Sequence, residues 1–177
     1  IQEYRDFLLG LLDALGFNRA VLVGHSMGGG IAQGFALAYP DQLAALILVG
    51  TGAQLRVHPD IFAAIRRDIG EAGRLISGWS YSSAAMLATV ASAAEAFARN
   101  RASVLEGDFR ACDAFDLMGE ISKIRTPTLI VCGEDDRLTP PKYARFLHDK
   151  IPGSALTVIP GAGHMVMLER PAEFNRV

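Results

Sequence analysis

The sequence predicts an α/β fold built on a parallel sheet, and three observations carry that prediction. Apolar residues near the start recur at helical spacing: Tyr4, Phe7, Leu8, Leu11, Leu12 and Leu15. Short apolar runs follow, at residues 20–23, 43–49, 128–132 and 155–159. Runs without polar alternation suit strands covered on both faces, as in a parallel sheet. Helix-length segments separate the first two and the last two runs, and helix alternating with strand is the pattern of parallel α/β packing.

Taken in order, Gly16 stops the first helix, and residues 20–23 form the first strand, expected to be buried on both faces. Residues 27–39 are small and apolar, which predicts a buried helix ended by Pro40-Asp41. The rhythm changes at Gly52. No strand-like run occurs before about Ser122, and helices are expected over 59–77, 81–100 and 102–118, with breaks near Gly78 and Arg101. The chain therefore divides into a core part at residues 1–52, a helical insertion at 53–122 and a second core part at 123–177. In the last part a helix is expected near 142–150. A final one starts at Pro171, where a first turn tolerates proline.

Half of the 177 residues are hydrophobic and a fifth are charged. That composition excludes a disordered chain, and a chain this long buries roughly 70% of its unfolded surface. Seventeen Lys and Arg against nineteen Asp and Glu give a net charge of −2, so no basic field exists to hold nucleic acid. No run reaches the roughly 18 apolar residues of a membrane span. Cys112 and Cys132 lie apart with no Cys/His cluster beside them, which excludes a zinc site or a disulfide framework and suits reduced thiols in a cytoplasmic protein.

The chemistry concentrates at Gly24-His25-Ser26-Met27-Gly28, a G-x-S-x-G placed between a buried strand and a helix. A serine on so sharp a turn strains its backbone and needs small neighbours. The turn lifts the hydroxyl above the carboxyl end of the sheet, and the N–H of Met27 points where an oxyanion would develop. The bland alternative is a serine that only caps the helix. A serine nucleophile needs a base, and the base needs an orienting group. Of four histidines, His25 points away from the serine and reads as packing, while His58 and His148 read as solvated. His164 follows the last strand in a glycine-rich loop, at the end of the sheet where Ser26 is expected. The acid is sought in the loop after the preceding strand, where Glu134, Asp135 and Asp136 compete and spacing does not choose.

These motifs, in the order Ser26, acid, His164, resemble the α/β-hydrolase superfamily, in its branch of esterases, lactonases and C–C hydrolases carrying G-H-S-M-G-G. The resemblance covers essentially the whole chain. It implies Asp136 as the acid, through Gly133-x-x-Asp136-x-x-Thr139-Pro140. It also matches the family's histidine loop at Gly163-His164 with Glu169 and Pro171, and it implies a cap in the helical insertion. In that family the sheet has eight strands and the serine turn follows the fifth. Here four strands are visible and the serine turn follows the first, so the chain resembles a fragment without the N-terminal half of the sheet and its second oxyanion donor. Strand 20–23 would then present an open edge, to be covered by a missing N-terminal segment or by a homo-oligomer.

The expected function is hydrolysis of a small or medium carboxylic ester or lactone through Ser26, His164 and Asp136 and an acyl-enzyme, with the Met27 N–H as oxyanion donor. No metal and no organic cofactor are implied, and activity is expected to fall in acid as the base is protonated. The alternatives on the same scaffold are a C–C bond hydrolase, a thioesterase or a perhydrolase. A catalytically weak fragment or a ligand receptor is the alternative of another class. The pocket should be apolar, with Trp79, Met86, Phe97 and Met165 as lining candidates, and no basic cluster is obvious for an anionic tail.

Overall fold

The computed structural model describes all residues, Ile1–Val177. Four strands, β1 (Ala20–His25), β2 (Leu43–Val49), β3 (Thr128–Gly133) and β4 (Ala155–Ile159), form one parallel sheet in the order β1-β2-β3-β4. Helix α1 (Gln2–Ala14) precedes β1, and α2 (Met27–Ala38) links β1 to β2. Four helices lie between β2 and β3: α3 (Pro59–Arg67), α4 (Ile69–Ser80), α5 (Leu87–Ala98) and α6 (Ala102–Asp113). Helix α7 (Pro141–Lys150) links β3 to β4, and two short turns of helix, α8 (Val166–Glu169) and α9 (Pro171–Phe174), follow. The fold is an α/β fold on a parallel sheet, as the sequence predicts.

Alternation along each strand splits the core in two. Leu46 and Leu48 of β2, with Ile130 and Cys132 of β3, point to one face. There α2 and α7 help complete a cluster of fourteen buried residues, including Phe35 and Leu147, and partly buried leucines of α1 pack against it. Val49, Val131 and Ile159 point to the other face, where only α8, α9 and the loop before them cover a cluster of five. That shorter cover ends before it reaches β1. Val21 and Val23 stand 56% and 57% exposed on that face, whereas Leu22 packs into the larger cluster. The sequence expectation that residues 20–23 are buried on both faces is therefore corrected: β1 is covered on one face only, because no helix lies over the other. β1 also stands at the edge of the sheet.

Two further expectations change within the helical segment. The helix expected over 59–77 is broken at Asp68, whose extended backbone and carboxylate cap α4 by accepting the Gly70 N–H at 2.8 Å. The helix expected from 81 begins at Leu87 instead. Residues Ile61, Ala64, Ile65, Ala72 and Ile76 give α3 and α4 a small core of their own. No helix is long and apolar enough to cross a membrane.

Candidate active site

All four strands run parallel, so their carboxyl ends share one edge. Ser26 stands there, between β1 and α2, with φ 53° and ψ −119°. It is the only non-glycine residue with positive φ, a strain of about 1–3 kcal/mol that the surroundings must hold in place. Its N–H donates to the Val49 carbonyl at 2.9 Å, and its own carbonyl accepts the Thr51 hydroxyl at 2.8 Å. Gly24 permits the turn by lacking a side chain, since a Cβ there would fall 2.7 Å from the Gly28 carbonyl carbon. The Ser26 side chain makes no cap hydrogen bond to α2, so the hydroxyl does not serve as a helix cap. Met27 occupies the first position of α2, where an N–H has no intrahelical acceptor.

Asp136 and His164 come from the loops after β3 and β4 and meet directly. The imidazole Nδ1 lies 2.8 Å from Asp136 Oδ2, and the two side chains are 5% and 0% exposed. Asp136 Oδ1 accepts the N–H groups of Leu138 and Thr139 at 2.9 and 2.8 Å, and Oδ2 accepts the Thr139 hydroxyl at 2.8 Å. A carboxylate so saturated is fixed in orientation, and with Nδ1 facing it the imidazole turns Nε2 away, the arrangement a general base requires. Glu134 and Asp135, the competing carboxylates, are exposed. Gly133 lets the histidine loop cross the end of β3, where a Cβ would meet the Ala162 carbonyl carbon at 2.7 Å.

Ser26 reaches the pair through its neighbours. Gly50 follows the residue that holds the Ser26 N–H, and a Cβ on Gly50 would lie 3.3 Å from His164 Nδ1. His25 Nε2 donates to the His164 carbonyl at 3.0 Å, with the two rings 4.6 Å apart. The structure thus brings Asp136 and His164 into direct contact and sets Ser26 beside them, its hydroxyl without a hydrogen-bond partner.

Two residues of the site escape sequence reasoning. His25, read as packing, braces the histidine loop. Burial above all, and then the nearby His164, push its pKa down to about 4, so it stands neutral. Its partner lies 139 positions away in sequence, and no local signal could have revealed it. Glu169, visible only as part of a motif, bridges two segments. Its Oε1 accepts the Gly163 N–H at 2.7 Å, and its Oε2 accepts the Ser82 N–H at 2.8 Å. With the Met165 N–H donating to the Ser80 carbonyl at 3.1 Å, the end of α4 is tied to the histidine loop. Arg137 of the acid loop ties it again through the Gly78 carbonyl.

A cavity of about 540 Å³ opens beside Ser26, a size suited to a small organic ligand. Trp79, Phe109, Ile61 and Leu55 give it apolar walls, and Arg137 to Pro140 of the acid loop form one side. Of the four expected lining residues only Trp79 is there. Met86, the residue before α5, is 73% exposed and lies outside the lining. Phe97 packs against the core of α3 and α4, and Met165 is the N-cap of α8. No three His, Cys, Asp or Glu side chains converge as metal ligands, and both cysteines are free thiols.

Comparison with known proteins adds the family. Residues 1–177 match the alpha/beta hydrolase family along their whole length. A 2-hydroxy-6-oxononadienedioate/2-hydroxy-6-oxononatrienedioate hydrolase of Burkholderia vietnamiensis is 30% identical over 185 residues, covering 96% of this chain and 64% of that protein. Among solved structures, a thermophilic esterase is 41% identical with a TM-score of 0.88, covering 98% of this chain and 69% of that one. Est816, an N-acyl homoserine lactone degrading enzyme, is 31% identical with a TM-score of 0.87, covering 98% and 71%. The chain thus spans a little less than two thirds of the Burkholderia relative's length. A parallel sheet, a strained serine turn at its carboxyl edge and a match from first residue to last lead to one conclusion: the chain belongs to the alpha/beta hydrolase family.

Proposed function

We propose that the protein hydrolyses a small or medium carboxylic ester or lactone through Ser26, His164 and Asp136. The observation that carries the reading is the Ser26 turn: a strained residue with an uncommitted hydroxyl, at the mouth of a cavity and beside a buried carboxylate–imidazole pair. In this reaction Ser26 Oγ attacks the carbonyl carbon while His164 Nε2 takes its proton. Asp136 holds the imidazole through Nδ1 and stabilises the imidazolium without accepting the proton. The Met27 N–H, at the positive end of α2, receives the oxyanion. His164 then protonates the leaving alcohol, and a water molecule attacks the acyl-enzyme by the same route to release the acid. The helices between β2 and β3 act as a cap over the cavity. A missing N-terminal segment or a second copy of the chain covers the open edge of β1.

The likeness to the Burkholderia hydrolase favours a second reading on the same side chains, in which the substrate resembles a 2-hydroxy-6-oxo dienedioate rather than an ester. Labelling by a fluorophosphonate probe tests the nucleophile. The wild type is expected to label and Ser26→Ala is not; labelling that survives the substitution removes Ser26 from the role. A series of p-nitrophenyl esters set against a 2-hydroxy-6-oxo dienoate then separates the two substrate readings.

A further inference from the structure

The cavity beside Ser26 is electrostatically one-sided. Arg56, Arg137 and Lys142 line it, together with His58, and no aspartate or glutamate does. None of the three cations is within 4 Å of a carboxylate, whereas arginines elsewhere pair, as Arg66 and Arg110 do on Glu106. Arg56 donates to the Asp113 backbone carbonyl at 3.2 Å and Arg137 to that of Gly78, contacts that orient a guanidinium without neutralising it. Carboxylates adjoin the lining without belonging to it: Asp136, behind Leu138 and Thr139, is buried and taken up by their N–H groups, the Thr139 hydroxyl and His164. Asp60 lies 3.5 Å from His58 Nδ1, and the Asp113 carboxylate accepts the Val57 N–H at 3.0 Å.

A second, independent feature has the same sign. Three helices begin at this cavity: α2 at Ser26, α3 at His58 and Pro59, and α7 at Pro140. Each helix N-terminus carries roughly half a positive charge. A site so lined repels a cationic ligand, and a neutral one leaves the field unused. Between the cations, Trp79, Phe109, Ile61 and Leu55 accept an apolar body.

Resting on the hydrolase reading, we propose that the substrate carries a carboxylate as well as the reacting carbonyl, and that Arg56, Arg137 and Lys142 form the seat for that carboxylate. The apolar walls hold the middle of the molecule, so the charged group and the scissile bond lie at its two ends. The cations are exposed, and the attraction is therefore screened by salt.

The test compares two substrates that differ by one terminal carboxylate, p-nitrophenyl butyrate and mono-p-nitrophenyl glutarate, on the full chain. The expected result is a kcat/KM at least about tenfold higher for the glutarate, the size of one charge-assisted contact, and a preference that shrinks as sodium chloride rises. Lys142→Gln and Arg56→Gln should each reduce that preference severalfold. Where the esters turn over, equal rates, a preference for the butyrate, or a preference untouched by salt and by both substitutions overturns the seat. Binding gives a readout independent of turnover: Ser26→Ala is titrated with monoethyl glutarate and with ethyl butyrate. Tighter binding of the glutarate supports the seat even where neither ester is hydrolysed, a result that sinks the hydrolase reading alone. Equal binding of the two overturns the seat.

Discussion

Asp136 and the Nδ1 side of His164 occupy a region of dense hydrogen bonding. The carboxylate accepts two backbone N–H groups, a hydroxyl and an imidazole, and both side chains are buried. Ser26, at the same edge of the sheet, is built the other way. Its backbone is strained, its hydroxyl is unpaired, and it ends an edge strand whose Val21 and Val23 face solvent. The contrast separates two physical tasks. A base must be held in one tautomer and one orientation, which hydrogen bonds to a fixed carboxylate achieve. In the proposed mechanism a nucleophile must be presented with nothing competing for its oxygen, a task that suits the tight Ser26 turn supported from behind by Gly24 and Val49.

The largest effect should come from the unpaired side. Ser26→Ala is expected to lower ester turnover by about 10⁶-fold and Asp136→Asn by about 10⁴-fold. Stopped assays on one p-nitrophenyl ester check both. Equal residual rates would erase the distinction between presenting a nucleophile and orienting a base. Next, Gly24→Ala places a methyl against the α2 backbone and should cost about 3 kcal/mol of folding stability, measured by urea unfolding. A loss under 1 kcal/mol would mean the turn is not sterically set.

The third prediction concerns pH on the paired side. His25 stays neutral in the folded chain down to about pH 4, while in the unfolded chain a histidine takes its proton near 6.5. The unfolded state therefore binds more protons between those values. The stability from neutral His25 is fully present above pH 6.5, and roughly 3 kcal/mol is lost as pH falls towards 4. Unfolding at pH 7 and pH 4.5 should show a smaller loss in His25→Asn than in the wild type. An identical loss in both would contradict it.

Smaller still, Glu169→Gln keeps one acceptor for Gly163 or Ser82 and turns an amide N–H towards the other. The expected cost is about 1–2 kcal/mol of stability, read as a lowered midpoint in thermal unfolding. At the low end, Gly28→Ala should change stability by less than about 1 kcal/mol, because no atom lies within 4 Å of a Cβ there. A large loss at Gly28 and none at Gly24 would reverse the steric explanation of the G-x-S-x-G spacing.

Local signals made most of the elements legible. Leu43–Val49 and Ala155–Ile159 match β2 and β4 because short, mostly apolar runs rich in β-branched and aliphatic residues suit covered strands. The helix expected over 59–77 failed at Asp68, since a cap in the middle of an apolar rhythm is outweighed in any periodicity reading. Burial of residues 20–23 on both faces failed because cover comes from elements distant in sequence, and none reaches Val21 and Val23. The lining candidates show the same limit. Trp79 faces the cavity while Met86 and Phe97 do not, although all three read alike as apolar residues of one segment. The sequence offered no basic cluster, yet Arg56, Arg137 and Lys142 meet around one cavity.

The chain's own residues determined what depends on near neighbours: strands from apolar runs, the serine turn from small residues on either side, and the order of serine, acid and histidine. Only the folded chain decided which carboxylate meets His164, what His25 and Glu169 hold together, and how scattered cations come to share a cavity. Neighbouring residues are coupled by bond geometry, which a sequence displays directly. Residues a hundred positions apart are coupled only by the packing of the sheet and its helices, which makes their contacts a property of the whole fold.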